Sequence, residues 1–312
     1  MPAIVAIPFV LIFGVSFPQQ IIAHTLAAGS VVLSYRIAQK FSKEHSKTPL
    51  WTAILTAVGT IMWFEASVGS SWYLGQLTAV FFLFLAIYLS TSKKAFLVGL
   101  CLGAAYLSRV HTIFSIPVFL YLLSGKKQRY VSFGVGLLIM GFIGFAYNFM
   151  RFGVIWDKGY LLIPGVFDEP WFSNGIENVI YIPRNLQTAF WSFPKILNEK
   201  PFIEPSWNGL SIWITTPAFI FAFFAPIKRK LVQYLWAAIL PIFLFVLAHG
   251  SNGFAQFGYR FAIDFYPFLI LLTALGIKKM GLKKIHWILL LLGVIVNLWG
   301  VVWINIFGWV IF

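Results

Sequence analysis

Residues 130–160 read YVSFGVGLLIMGFIGFAYNFMRFGVIWDKGY, an almost wholly apolar run over 130–149 that passes directly into a polar segment. About 20 apolar residues in a helix cross the hydrocarbon core of a bilayer. Arg151 comes at the end of the run, and Asp157 and Tyr160 follow it. The stretch therefore predicts a transmembrane helix and a polar segment that begins where the helix leaves the lipid.

The composition of the whole chain agrees with this interpretation. Of its 312 residues, 60% are hydrophobic and 10% are charged, whereas a soluble domain has roughly 25% charged residues. The net charge is +14, but the positive residues lie in short clusters between apolar runs and leave no basic soluble face for nucleic acid. The single cysteine, Cys101, supports neither a disulfide framework nor a thiolate metal site. We expect an integral protein of the lipid bilayer that does not bind nucleic acid.

Apolar runs recur along the chain. They fall near residues 2–17, 20–35, 50–64, 73–91, 95–108, 112–124, 130–149, 207–226, 231–249, 263–277 and 285–309. Runs shorter than about 20 residues suit broken or re-entrant helices. The sequence predicts an all-α fold, a polytopic transmembrane helical bundle of nine to eleven segments that forms a single domain over residues 1–312.

Basic clusters indicate the orientation of this bundle. Five clusters hold 16 of the 23 lysines and arginines: Arg36, Lys40, Lys43 and Lys47; Lys93 and Lys94; Lys126, Lys127 and Arg129; Lys228, Arg229 and Lys230; Lys278, Lys279, Lys283 and Lys284. Two predicted crossings separate consecutive clusters, so all five share one side, which the positive-inside rule makes cytoplasmic. Eight of the nine carboxylates fall on the other side, and Glu44 is the exception. We expect a multi-pass protein of the plasma membrane.

The longest non-membrane segment, residues 150–206, falls on the outer side. It carries many aromatic and proline residues, among them Trp156, Trp171 and Trp191. It is expected to form either an ordered aromatic cap or an interfacial aromatic belt at the lipid headgroups. Because connecting segments more often carry binding residues than spans do, function is expected at this outer face.

Arg109 and His111 lie between two apolar runs of about 14 and 13 residues. A 14-residue helix rises about 21 Å, short of the roughly 30 Å core, so Arg109 should lie below the outer headgroups in a broken hairpin. A guanidinium there suits a lipid phosphate, although an arginine that reaches up to the interface is the alternative. A bend would be needed to bring His111 beside Arg109.

A second polar group precedes the run at 263–277. Tyr259, Arg260 and Asp264 follow a glycine-rich segment, and Arg260 and Asp264 are four residues apart. On one α-helical face they would form a structural ion pair; alternatively, Arg260 faces an anionic headgroup and Asp264 orients it. Arg151, at the end of the helix over 130–149, is also expected at headgroup level.

Three further carboxylates are weaker candidates. Glu65 ends an outward segment and could act as a general base, a metal ligand or a partner of Arg109. Asp168 and Glu169 are adjacent, without a third ligand in the pattern. The five histidines show no zinc-binding spacing. A divalent metal is compatible with these residues but is not required by them, and no other cofactor is indicated.

The chain resembles the GT-C superfamily of membrane glycosyltransferases, specifically bacterial proteins similar to dolichyl-phosphate-mannose-protein mannosyltransferases. Five short stretches carry the resemblance in family order: MPAIVAIPFVLIFG (1–14), VGLCLGAAYLSRVHTIFSIPVFL (98–120), YNFMRFGVIWDKGY (147–160), ITTPAFIFAFFAP (214–226) and FGYRFAIDFYPFLILL (257–272). The resemblance implies transfer of a sugar from a polyprenyl-phosphate carrier to an acceptor outside the membrane. Its donor phosphate would be bound by Arg109, Arg151 and Arg260, and its substrates by His111, Asp157, Tyr160, Tyr259 and Asp264.

The sequence departs from the family pattern at its start. In that family the catalytic acid lies in the first outer loop, between the first helix and a PPxPAxxxxPF-like segment, and this sequence begins inside that segment at Met1. We therefore expect an N-terminally truncated form that lacks the acid, with Glu65 the nearest substitute, and expect transferase activity only if the native protein includes the missing N-terminal part. A lipid-linked sugar transporter or flippase, and a subunit that binds the lipid-linked sugar without turning it over, are the alternatives.

Overall fold

The computed structural model describes residues 1–42, 45–253 and 256–307. Over these ranges the chain is mostly helical, with one antiparallel ribbon between β1 (Lys195–Ile196) and β2 (Ile203–Glu204). The predicted all-α class is confirmed. Lys43 and Glu44, which the sequence places in the first basic loop, lie outside the described residues.

The described chain contains α-helices and shorter 3-10 helices. The α-helices are α1 (Pro2–Phe13), α2 (Gln20–Phe41), α3 (Thr48–Val58), α4 (Met62–Val68), α5 (Ser71–Thr91), α6 (Ala95–Tyr106), α7 (Ile116–Leu122), α8 (Lys127–Phe152), α9 (Ile182–Trp191), α10 (Ile212–Thr215), α11 (Lys230–Leu247), α12 (Tyr266–Met280) and α13 (Lys284–Asn305). The 3-10 helices are Val110–Ser115, Tyr160–Leu162, Pro170–Phe172, Val179–Tyr181, Pro217–Phe224 and Arg260–Phe265.

Six described helical segments are long and apolar enough to cross a membrane. They are Gln20–Phe41, Ser71–Thr91, Lys127–Phe152, Lys230–Leu247, Arg260–Met280 and Lys284–Asn305. A seventh is gained if α3 and α4, bent by 44° at a short break, count as one span. The chain thus has helices suited to a membrane protein, but the predicted nine to eleven segments are not confirmed.

The difference arises where an apolar run is not one continuous helix. The run near 207–226 folds as the four-residue α10 and the 3-10 helix Pro217–Phe224. The runs near 2–17 and 95–108 fold as α1 and α6, each of 12 residues. A helix of that length rises about 18 Å, well short of the roughly 30 Å hydrocarbon core. Hydropathy reports composition, whereas a span needs an unbroken helix.

The span Arg260–Met280 lies at the centre of the bundle. In its most apolar window 94% of the residues are buried, a larger share than in any other described span. Gly276 lets it approach the backbone carbonyl of Phe221 closely, where a Cβ would have no room. Close backbone packing at small residues is how membrane helices gain contact area. The first turn of this span, Arg260–Phe265, is therefore held in the middle of one end of the bundle.

α6 and α8 pack with similarly close backbones. A Cβ at Gly99 would meet the carbonyl of Phe133, and one at Gly136 would meet the carbonyl of Phe96. The two glycines lie on facing helices and leave no space for a larger side chain. This contact holds the first half of α6, the helix that precedes Arg109, directly against α8.

The basic loops meet at the other end of the bundle. Lys93 Nζ donates to the carbonyl oxygen of Leu122, and Trp51 Nε1 donates to the carbonyl oxygen of His286 at 3.1 Å. Both contacts join helix ends that the alternation of crossings places on the same side. Which end faces the cytoplasm stays a prediction.

Candidate functional site

Arg109, His111 and Asp264 meet at the end of the bundle opposite these basic loops. Oδ2 of Asp264 accepts hydrogen bonds from Arg109 Nε at 3.0 Å and His111 Nε2 at 2.8 Å, and lies 2.8 Å from Arg109 Nη2. Because a carboxylate oxygen accepts, His111 Nε2 must carry the proton. Asp264 and His111 are buried, and 25% of the Arg109 side chain is exposed. The cluster anchors Arg109 while leaving part of its guanidinium accessible.

Local backbone structure explains these partners. Arg109 is extended, with φ −145° and ψ 103°, and caps the 3-10 helix Val110–Ser115. Arg260 opens the corresponding 3-10 helix, Arg260–Phe265. Residues three apart line up in a 3-10 helix, so residues four apart diverge by about 120°. The interpretation that Arg260 and Asp264 pair on one helical face is therefore wrong, since Asp264 binds Arg109 and His111 instead. The suggested pairing of Glu65 with Arg109 is also wrong, because neither carboxylate oxygen of Glu65 has a hydrogen-bond partner among the described residues.

Arg260 is surrounded by aromatic rings. Its guanidinium carbon lies 5.9, 5.5 and 5.1 Å from the ring centroids of Trp72, Tyr73 and Phe261. Arg109 approaches the same Phe261 ring at 5.5 Å. Within residues 1–42, 45–253 and 256–307, Arg260 forms no salt bridge, and its buried Nε has no hydrogen-bond partner. The charge of Arg109 is balanced by Asp264, whereas that of Arg260 is not balanced by a bonded carboxylate.

Two cavities, each of about 330 Å³, open on these arginines. We call the first simply the first cavity and the second the arginine cavity. The first cavity is lined by Tyr106, Leu107, Ser108, Arg109, Val110, His111, Asp157, Tyr160, Ile176, Glu177, Phe245, Val246, His249 and Phe261. The arginine cavity is lined by Ser70, Trp72, Tyr73, Arg109, Tyr160, Ile163, Pro164, Gly165, Val166, Glu169, Trp171, Phe172, His249, Ser251, Arg260 and Phe261. Arg109, Tyr160, His249 and Phe261 line both, so the cavities adjoin.

The long segment between α8 and α10 closes over these cavities. Its residues 176–178 pair with residues 248–250 at the end of α11. Asn178 N donates to the Ala248 carbonyl at 2.7 Å, Gly250 N donates to the Ile176 carbonyl at 2.7 Å, and Glu177 forms an antiparallel bridge with His249. These backbone bonds make the segment a fixed wall of the cavities.

Burial changes the acid–base properties of the wall residues. Desolvation raises the pKa of Glu177 to about 7, although the positive charge of Arg109 opposes the shift. Desolvation also lowers the pKa of His249 to about 4, so that its ring is neutral near pH 7. The pKa of the Tyr160 hydroxyl is raised, again mainly by burial. Near neutral pH the wall therefore holds a neutral imidazole and a carboxyl group that can exchange a proton.

The structure brings together most of the candidates taken from the sequence. Arg109, His111, Asp157 and Tyr160 line the first cavity, Arg260 and Glu169 line the arginine cavity, and Asp264 forms a salt bridge with Arg109. His111 and Arg109 meet through Asp264, as the expected bend requires. What these residues bind stays a prediction.

Four sequence candidates lie apart from both cavities. Arg151 is exposed at the end of α8, with its guanidinium 4.8 Å from the ring of Phe152. Tyr259 is buried in the core, and Asp168 is exposed on the long segment. Glu65 is fully buried in α4, and neither of its carboxylate oxygens has a hydrogen-bond partner among the described residues. None of these four residues lines either cavity.

Metal binding finds little support in the arrangement. Across the part of the chain that the structure describes, no group of three or more His, Cys, Asp or Glu side chains could hold a metal ion. Asp168 and Glu169 are both exposed, and Glu169 alone of the two lines a cavity. A divalent metal therefore has no complete protein ligand set within the described residues.

Sequence reasoning overlooked Glu177, His249 and Phe261 as site residues. Glu177 and His249 are 72 positions apart in the sequence and meet through backbone pairing, which a pattern of side chains does not report. One usable signal was present: Arg109 and Arg260 each precede a proline, Pro117 and Pro267, that lies near the start of the following α-helix. The repeated arrangement marks two broken helix ends that carry an arginine.

Comparison with known proteins gives one match. No protein-family model and no solved structure matches the chain. An uncharacterized protein from Aquifex aeolicus (strain VF5) is 28% identical over 141 residues, which are 45% of this chain and 32% of that relative. The matched part thus spans about a third of the length of the relative.

Proposed function

We propose that the chain is a membrane glycosyltransferase of the hexosyltransferase type, which takes a sugar from a polyprenyl-phosphate-linked donor at the extracytoplasmic face. One observation carries the proposal: the guanidinium groups of Arg109 and Arg260 both contact the ring of Phe261, which lines both cavities. Of these two arginines, Arg260 has no bonded carboxylate among the described residues. A partly buried cation that lacks a bonded carboxylate is costly. An anionic ligand would supply the missing charge.

A phosphate monoester or diester is a suitable ligand for these guanidinium groups. Guanidinium groups bind phosphate oxygens through parallel, charge-assisted hydrogen bonds. Such bonds contribute about 1.5–3 kcal/mol each, more than the 0–1 kcal/mol of an exposed ion pair. Because both cavities lie where the apolar spans end, a ligand with a charged head and a polyprenyl tail can leave its tail in the lipid. A soluble anion would gain nothing from that position.

The adjoining cavities suit a transfer between two substrates. With the phosphate at Arg260 and Arg109, the sugar would lie near the shared residues Tyr160 and His249. An acceptor would enter the first cavity, which we therefore call the acceptor-side cavity from here on. Attack of the acceptor oxygen on the anomeric carbon breaks its bond to the phosphate oxygen. The two arginines stabilise the negative charge that develops there, which is usually the largest contribution to such catalysis.

The proposed orientation follows from the distribution of charge. The basic clusters lie between the spans at the end of the bundle away from both cavities, and lysine and arginine accumulate on the cytoplasmic side of membrane proteins. The cavities, and the segment over 150–206 that covers them, would then face the outside of the plasma membrane. A donor carried on a polyprenyl lipid is compatible with that side because it needs no soluble nucleotide-sugar.

A subunit that binds the lipid-linked sugar without transferring it is the second candidate. The burial of Glu65 favours it, because the carboxylate that the sequence offered as a base lines neither cavity. The two candidates share the phosphate site and differ in turnover.

The test uses the purified full chain in lipid nanodiscs, polyprenyl-phospho-mannose with a radiolabelled sugar, and a membrane extract as acceptor source. We expect release of polyprenyl phosphate by the wild type and a loss of about tenfold or more in Arg260→Gln. Arg129→Gln, at the basic end, is the matched control and should behave as the wild type. Binding of the donor without release would favour the non-catalytic subunit. Absence of both binding and release would contradict the proposal.

A further inference from the structure

Glu177 holds a defined position in the acceptor-side cavity. Its backbone bridges to His249, and the neighbouring Asn178 N to Ala248 O bond of 2.7 Å fixes the same turn of chain. The side chain lines the cavity together with Arg109 and Tyr160. The hydrogen-bonded backbone fixes the position from which the Glu177 side chain extends at the cavity wall.

The other carboxylates near this cavity are engaged elsewhere. Asp157 also lines it, but its Oδ1 accepts the backbone N–H of Gly159 at 2.7 Å and stabilises a local turn. Asp264 is bound to Arg109 and His111. Glu65 lies outside the cavity, buried in α4. Among the carboxylates that line this cavity, Glu177 is the one whose side chain forms no hydrogen bond or salt bridge with another described residue.

The surroundings of Glu177 suit proton transfer. Glu177 is an exposed residue at the cavity wall, yet neighbouring protein atoms desolvate its carboxylate and raise its pKa to about 7. A general base works best when its pKa lies near the working pH. Arg109 opposes the shift and favours the charged form, so deprotonation at neutral pH remains accessible.

We propose that Glu177 is the general base that deprotonates the acceptor hydroxyl in the sugar transfer, an inference that rests on the function proposed above. The hydroxyl proton moves to the Glu177 carboxylate as the acceptor oxygen forms its bond to the anomeric carbon. The bond from that carbon to the phosphate oxygen breaks, and its electron pair leaves on the phosphate. The products are the glycosylated acceptor and polyprenyl phosphate, and Glu177 returns its proton to water.

The test compares Glu177→Gln with Glu199→Gln, an exposed carboxylate of the same segment that lines neither cavity. Each full-length variant in nanodiscs is assayed for polyprenyl phosphate affinity and for release of polyprenyl phosphate from polyprenyl-phospho-mannose with a membrane extract. We expect Glu177→Gln to bind polyprenyl phosphate like the wild type but to release it about 10²- to 10⁴-fold more slowly. Glu199→Gln should match the wild type in both.

A pH profile separates a base from a structural group. The wild-type rate should rise with pH through about 7, because the base acts in its deprotonated form, and this limb should vanish in Glu177→Gln. The other titratable or charged groups that line the cavity remain unchanged in that variant: Tyr106, Arg109, His111, Asp157, Tyr160 and His249. The pKa of His249, about 4, places its titration well below this limb.

Each outcome decides the inference. Wild-type release and an unaltered pH limb in Glu177→Gln would overturn it and leave the transferase proposal standing. Lost polyprenyl phosphate binding in Glu177→Gln would also overturn it, since the carboxylate would then serve binding or folding. Donor binding by the wild type without any release would contradict the transferase proposal, and the inference would fall with it.

Discussion

Replacing Arg260 with glutamine removes the cation that lacks a bonded carboxylate among the described residues and lies 5.1–5.9 Å from three aromatic ring centroids. If a lipid phosphate binds there, the substitution takes away up to two charge-assisted hydrogen bonds of about 1.5–3 kcal/mol each. Part of this loss is offset, because the ligand-free protein no longer holds a desolvated cation without a partner, and glutamine keeps one donor group. The expected net loss is about 2 kcal/mol, or a Kd about 30-fold higher.

The assay is titration of the full chain in nanodiscs with a fluorescent polyprenyl phosphate, at about 0.05 M and about 0.5 M NaCl. Salt should alter the wild-type affinity only modestly, because buried pairs are screened much less than exposed ones. The thermal unfolding temperature of Arg260→Gln should stay close to that of the wild type, since the variant loses a partly buried cation without a bonded carboxylate but also loses its contacts with three aromatic rings. A Kd within about threefold of the wild type, with unfolding unchanged, would refute this placement of the phosphate.

Three further outcomes follow from the geometry. Arg109→Gln should lower the free energy of unfolding by about 3 kcal/mol, because it leaves the buried Asp264 carboxylate without its cation; equal stability in chemical denaturation would contradict the pair. Gly136→Leu should lower it by about 1–3 kcal/mol through a clash between α6 and α8, whereas Gly134→Leu, with nothing within 4 Å of an added Cβ, should not. Arg151→Gln, exposed and outside both cavities, should leave polyprenyl phosphate affinity within about twofold of the wild type by the same titration; a larger loss would restore it to the site.

The sequence allowed the residues of the site to be predicted better than their partners. An ionisable side chain next to an apolar run is costly, so Arg109 and Arg260 were conspicuous in the sequence. Their partners depend on backbone geometry that the pattern does not show. An α-helix would place Asp264 near Arg260, and the 3-10 turn places it on Arg109, 155 positions away.

The same limit applies to the helices and to the cavity wall. Apolar composition predicted a helical membrane bundle, but the 44° bend between α3 and α4 and the break before Pro217 depend on local backbone conformation. Glu177 was unremarkable in sequence because nothing in the segment over 150–206 indicates which residue pairs with His249. Long-range backbone pairing becomes visible only once the chain is folded.

The central claim is that a polyprenyl-phosphate-linked sugar lies in the two cavities at Arg109 and Arg260. The most direct measurement is photo-cross-linking of the full chain in nanodiscs to polyprenyl-phospho-mannose with a diazirine near its phosphate, followed by mass spectrometric mapping. We expect adducts on lining residues such as Tyr160, Glu177, His249 and Phe261, competed by unlabelled polyprenyl phosphate and lost in Arg260→Gln. Adducts confined to the basic loops or to the lipid-facing sides of α1 and α13 would contradict the account.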